Sequence, residues 1–123
     1  MKIDNLLAQW EDVYKKGLLS FWILLLLHQE ERYAYEMTAV IAKMSQGSVT
    51  VDEKSIYRAL KRFEENGLIQ SSKRKSDVGP PRRYFSLTDL GKALLKKFCQ
   101  RNILIFQAPT VAAAIESLMS IET

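Results

Sequence analysis

The chain carries one cysteine and one histidine among 123 residues. Cys99 alone can form no intrachain disulfide and cannot make a metal site by itself, so a buried structural thiol is its expected role. His28 ends an apolar stretch, where it suits the free carbonyls of a helix C-terminus better than it suits a base or a ligand. There is no glycine-rich phosphate loop, no paired metal-ligand spacing and no nucleophile elbow. The acidic residues are scattered, so no catalytic set can be assembled; no cofactor and no enzyme activity are expected. Long apolar runs are missing too. The longest, Leu18 to Leu27, is ten residues with Ser20 inside it. A bilayer span needs about 18 or more, so the expectation is a helix buried on nearly all sides. Asp4, Glu11 and Asp12 stand where a signal peptide would be apolar. A cytoplasmic location and no membrane partner are therefore expected.

Acidic charge is scarce in one place in particular. Between Lys54 and Arg83 stand nine cations (Lys54, Arg58, Lys61, Arg62, Lys73, Arg74, Lys75, Arg82 and Arg83) against Glu64, Glu65 and Asp77. The whole chain is only +4, with a pI near 9.2. The remainder is thus net negative, and the basic character is local, as on a surface that meets a polyanion.

Hydrophobic content of 47% permits a real core, and the length suits one domain with an appended helix or two. Ile3, Leu6, Leu7, Trp10, Val13 and Tyr14 draw a single stripe on an N-terminal amphipathic helix. Lys15, Lys16 and Gly17 read as a joint before the leucine-rich helix. Gln29 to Arg32 reads as a turn, and Tyr33 to Ser45 as a second helix of the central domain. Asp52 is a good N-cap for a third, which Gly67 stops after Asn66. Leu68 to Lys73 and Arg82 to Leu87 read as two strands around a tip of Asp77, Val78, Gly79, Pro80 and Pro81. Thr88 caps a helix running to about Phe106. Pro109 interrupts it, and Thr110 to Ile121 forms a last short helix. The expected architecture is mainly α with a two-stranded β-wing. A winged helix-turn-helix occupies 17–87, between an N-terminal helix in 1–16 and a C-terminal helical dimerisation region in 88–123.

The third helix of a winged helix-turn-helix must bury one stripe and offer another to the major groove. Ile56, Leu60 and Phe63, with Ala59 beside them, meet the first demand. Lys54, Ser55, Arg58, Lys61 and Arg62 meet the second, since these types reach guanine edges or phosphates. Tyr57 and Tyr35 can pack a ring while a hydroxyl reaches a phosphate. On the wing, Lys73, Arg74, Lys75, Arg82 and Arg83 flank a tip that two prolines stiffen, which lowers the entropy lost on docking.

These pieces resemble the PadR family of transcriptional regulators. The matching segments are KGLLSFWILLLL (Lys16 to Leu27), AYE (Ala34 to Glu36), SIYRALKRFEENGLI (Ser55 to Ile69) and GPPRRYFSLTDLGKALL (Gly79 to Leu95). The GPPRRY wing followed by Leu-Thr and a glycine is the most specific of them. The resemblance implies a dimeric winged-helix repressor of the small, short C-terminal subgroup, with Tyr35, Ser55, Tyr57, Lys61, Arg82 and Arg83 near DNA. The chain departs from the family pattern at Asp52-Glu53-Lys54-Ser55, where Ser-Pro-Gly-Thr is common, and Asp52 and Glu53 would repel phosphate. Ala34 stands where glycine is frequent.

An operator with two-fold symmetry needs two recognition helices about 34 Å apart, so the expected partners are double-stranded DNA and a second copy of the chain. The material for a homodimer interface is Leu6, Leu7, Trp10 and Val13 at one end, and Ile103, Leu104, Phe106, Val111, Ile115, Leu118 and Met119 at the other. Small PadR-like proteins include some that bind flat aromatic compounds between subunits. Trp10, Trp22, Phe98 and Phe106 are the aromatic candidates for such an effector here. The alternative from another class is a winged helix that docks on a protein and binds no DNA; the basic wing favours DNA.

Overall fold

A computed structural model describes residues 2–122 of the chain. It divides into two compact units, Met1–Lys92 and Ala93–Thr123, and the boundary falls within a helix. In chain order the elements are α1 (Lys2–Gly17), α2 (Leu19–Gln29), β1 (Arg32–Tyr33), α3 (Ala34–Met44), α4 (Glu53–Glu65), β2 (Ile69–Arg74), β3 (Arg82–Leu87), α5 (Asp89–Asn102), a 3-10 turn (Leu104–Gln107) and α6 (Pro109–Met119).

The core of the first unit lies where α2, α3 and α4 meet the sheet. Ile23 and Leu26 from α2, Met37 and Ile41 from α3, and Ile56 and Leu60 from α4 are almost fully enclosed, and Phe85 and Leu87 of β3 are buried with them. Each such side chain contributes about 1.5–3 kcal/mol by leaving water. The apolar run is therefore a core helix, buried at Ile23, Leu24, Leu26 and Leu27.

The sheet has three strands in the order β1-β3-β2, all antiparallel. The wing ribbon runs from Ile69 opposite Leu87 to Arg74 opposite Arg82. β1 adds two residues to its other edge, Arg32 opposite Phe85 and Tyr33 opposite Tyr84. The expected turn at Gln29–Arg32 thus ends in a strand. Two residues carry too little alternation to announce themselves, and this strand exists because β3 offers it an edge. Arg32 is fastened locally, its Nε donating to the Leu26 carbonyl at 3.3 Å and its guanidinium pairing with Glu30 at 3.1 Å.

Other boundaries also differ from the sequence expectation, β2 and α3 by a single residue at their ends. α1 continues through Lys15, Lys16 and Gly17, and the break falls at Leu18. α5 stops at Asn102 rather than near Phe106. Pro109 forces Ala108 out of the helical region, to φ −58° and ψ 136°, and the chain between tightens into the 3-10 turn. Pro109 itself then starts α6, since its missing N–H costs nothing at a first helical position.

The junction between α4, the wing and α5 is built around Gly67, Thr88 and Gly91. Gly67 (φ +75°) lets Leu68 N–H donate to the Phe63 carbonyl at 2.9 Å and its own N–H to Glu64 at 3.1 Å, closing α4. Thr88 returns to the same point: its N–H donates to the Leu68 carbonyl at 3.1 Å and its hydroxyl to the Gly67 carbonyl at 2.6 Å. That hydroxyl also accepts from Gly91 N–H at 3.1 Å, capping α5. Gly91 rests directly on the Leu68 carbonyl, and any Cβ there would collide with that oxygen. In an open helix Gly→Ala would gain about 1 kcal/mol. Here Gly91→Ala is expected to destabilise by about 1–3 kcal/mol, as overpacking does, read as a lowered urea midpoint.

Candidate nucleic-acid interface

α4 is set by its two ends and one stripe. Asp52 sits before it in extended geometry, and its Oδ1 accepts the Ser55 N–H at 2.7 Å. Ile56, Ala59, Leu60 and Phe63 are buried. Lys54, Arg58 and Lys61, at steps of four and three, then fall on one exposed stripe with Tyr57 beside them. Tyr57 is 54% exposed and Tyr35, at the start of α3, is 68% exposed. Ser55 is half-buried. Arg62 is exposed, with its guanidinium 5.4 Å from the Phe63 ring centre.

The wing presents its cations on two faces. Lys73 and Arg83 are paired across the ladder and share a face with Ile69, Phe85 and Leu87. Arg74 and Arg82 are paired on the opposite face with Tyr84. Lys75 follows the end of β2 and is exposed. Gly79 turns the tip at φ +86°.

α3, α4 and the wing enclose a cleft of about 1180 Å³. Tyr35, Tyr57, Lys61, Arg82 and Arg83 all line it, with Leu60 and Phe85 at its floor. Lys54, Arg58, Arg62, Lys73, Arg74 and Lys75 lie outside this lining. Glu64 and Glu65 also border the cleft, and Glu64 accepts a 2.6 Å bond from the Ser71 hydroxyl. The cleft can therefore take a polyanion along its cationic rim while its rings pack against flat or apolar surfaces.

Sequence reasoning missed Glu31, Tyr33 and Tyr84 as partners of the wing arginines. Arg82 lies 4.6 Å over the Tyr33 ring, and Arg74 lies 4.7 Å over the Tyr84 ring and is ion-paired with Glu31. Tyr33 stacks on Tyr35 at 6.1 Å with planes 7° apart. The alternation of β3 does place Tyr84 beside Arg82, but nothing local signals Tyr33 as its neighbour.

The residues expected at a dimer interface are placed within each unit. Leu6, Leu7, Trp10 and Val13 are all exposed on α1, Trp10 by 76%. In the second unit Leu104, Phe106, Ile115, Leu118 and Met119 are exposed, and Ile103 and Val111 are half-buried. Of the aromatic candidates, Trp22 is half-buried with its ring edge-on to Phe21 at 5.2 Å, and Phe98 is half-buried. Cys99, expected to be buried, is half-exposed. Among the described residues no cluster of His, Cys, Asp or Glu is arranged to hold a metal, and no single helix is long and apolar enough to cross a membrane.

The family model of PadR-like transcriptional regulators matches residues 23–97, from the core helix through the wing and into α5. The chain belongs to the PadR-like family. Its members are transcriptional regulators and not enzymes. A PadR-like transcriptional regulator from Bacillus cereus is 34% identical, with a TM-score of 0.65 over 87% of this chain and 96% of that one. Bacillus subtilis PadR, solved in complex with operator DNA, is 25% identical with a TM-score of 0.61, over 66% of this chain and 46% of that one. A PadR family regulator from Eggerthella lenta covers 99% of both chains at a TM-score of 0.69; at 20% identity it shares the fold.

Within this PadR-like site, Asp52 has a pKa below the usual carboxylate range. The Ser55 N–H is the main cause, followed by the Ser55 hydroxyl, with Arg58 and Lys54 adding smaller attractions. A depressed folded-state pKa gives stability that is present above the ordinary carboxylate value and is lost as pH falls through the folded one. The stability gap between the protein and its Asp52→Ala variant is therefore expected to narrow as the pH drops below about 4, the ordinary carboxylate range. Urea midpoints measured across that range test it.

Proposed function

We propose that the protein is a DNA-binding transcriptional repressor that occupies a palindromic operator as a homodimer. The observation that carries the reading is the cationic stripe of α4 beside the wing, with Lys61, Arg82 and Arg83 on the rim of one cleft. α4 enters the major groove, Arg58 and Lys61 face base edges or phosphates, and the wing follows the neighbouring backbone. The operator complex of the Bacillus subtilis relative supports the same use of this fold. Asp52 and Glu53 keep the very start of α4 from pressing on phosphate.

The homodimer is supported by α1, none of whose described residues is buried although six of its apolar side chains, from Ile3 to Tyr14, are exposed along one stripe. A face of that kind favours covering by a second copy. Release by a planar aromatic effector, which the family resemblance suggests, completes the proposal. It is checked by the tryptophan fluorescence of Trp10 and Trp22 across a panel of phenolic and planar cationic compounds; no change for any compound counts against it.

Selecting bound fragments from the source genome should recover an inverted repeat. On that site, log affinity should fall linearly with log salt by about 0.9 per phosphate contact. Arg58→Ala and Lys61→Ala should each cost about 1–3 kcal/mol if they read bases and should relax specificity at one position. Arg83→Ala should weaken all sequences evenly. A protein that sediments as a monomer at micromolar concentration, or binds every duplex independently of salt, contradicts the reading.

A further inference from the structure

The two arginines that share a face of the wing with Tyr84 are already engaged. Arg74 and Arg82 stand opposite each other in the ladder, where like charges repel. Each guanidinium is laid over a tyrosine, Arg74 over Tyr84 and Arg82 over Tyr33. Arg74 is also ion-paired with Glu31, the residue immediately before β1. The rings beneath them form a connected set: Tyr84 is 5.5 Å from Tyr33, and Tyr33 is stacked on Tyr35 at the head of α3.

Such a set matters because a two-stranded ribbon is marginal on its own. Beyond the shared hydrogen bonds, β1 gives this one only two paired residues. The Glu31–Arg74–Tyr84 contact joins the far end of β2 to the segment that enters β1 and α3. To reach a phosphate, Arg74 would have to leave both the carboxylate and the ring. Lys73 and Arg83, on the face shared with Phe85, carry no such commitments among the described residues.

Resting on the DNA-binding reading above, we propose that Glu31 is a positioning residue for DNA binding: by holding Arg74 over Tyr84 it sets the angle of the wing beside α4. Arg74 is then a brace and not a phosphate contact. An acidic residue near a polyanion would ordinarily weaken binding, so this role inverts the expected sign of its removal.

The protein and five variants test this by hydrogen exchange of the β2 and β3 amides without DNA, and by salt-dependent binding to the selected operator. Glu31→Gln should speed exchange at 72–84 and weaken binding about two- to fivefold, the scale of a single exposed ion pair. Arg74→Ala should weaken binding similarly while leaving the salt slope unchanged, whereas Arg83→Ala should lower that slope by about 0.9. Arg74→Glu should be the weakest binder. Adding Glu31→Arg to it should restore binding and exchange to within about twofold of the starting protein, since a reversed pair is still a pair. Tighter binding by Glu31→Gln, a slope reduced in Arg74→Ala, or no rescue by the exchanged pair overturns the proposal. If the unaltered protein binds no duplex, the DNA reading fails, and exchange in Glu31→Gln still decides the brace: unchanged wing amides overturn it.

Discussion

Burial of Ile56, Ala59, Leu60 and Phe63 where α4 packs on α3 and β2 leaves little freedom for the rest of α4. A helix turns about 100° per residue, so fixing that stripe fixes where Lys54, Arg58 and Lys61 project. The helix ends are equally constrained, by Asp52 at one and by the Gly67 turn at the other. The cationic surface is thus a consequence of apolar packing. A polar residue at Leu60 would disturb the direction of the basic stripe as well as the stability of the core.

The wing depends on that same packing at one end and on different forces at the other. Near its base, Phe85 and Leu87 are buried, and Thr88 and Gly91 close on the Gly67–Leu68 backbone. Toward its tip there is no core to hold it. Cation–ring contacts and one ion pair take over there. Such contacts are each worth under about 1 kcal/mol at exposed sites. They can orient the ribbon without making it rigid, which leaves the tip able to adjust to a partner.

Patterns with a strong local cause were legible in the sequence. The buried stripe of α4, its Asp52 cap and Gly67 stop, the bounds of β3 and the Thr88 cap all follow from residue type and spacing. What could not be read depended on distant neighbours. β1 is two residues long and forms only because β3 presents an edge. The end of α5 at Asn102 is set from beyond it, by the extended Ala108 that Pro109 demands. Nine cations in one span pointed to a polyanion-facing surface, but the division of the ladder's four between two faces of the ribbon needed the register Arg74–Arg82 and Lys73–Arg83. The commitment of Arg74 to Glu31 lies across 43 residues of chain and leaves no local trace.

In the proposed function, α4 and the wing act together as one duplex-facing surface. Amide chemical shifts of the isotope-labelled protein, followed while a short operator duplex is added, test it most directly. Shifts are expected to concentrate at 54–62 on α4 and at 73–83 on the wing, saturating together at a single affinity. Shifts confined to one of those elements, or centred on α1 or α6, would contradict it.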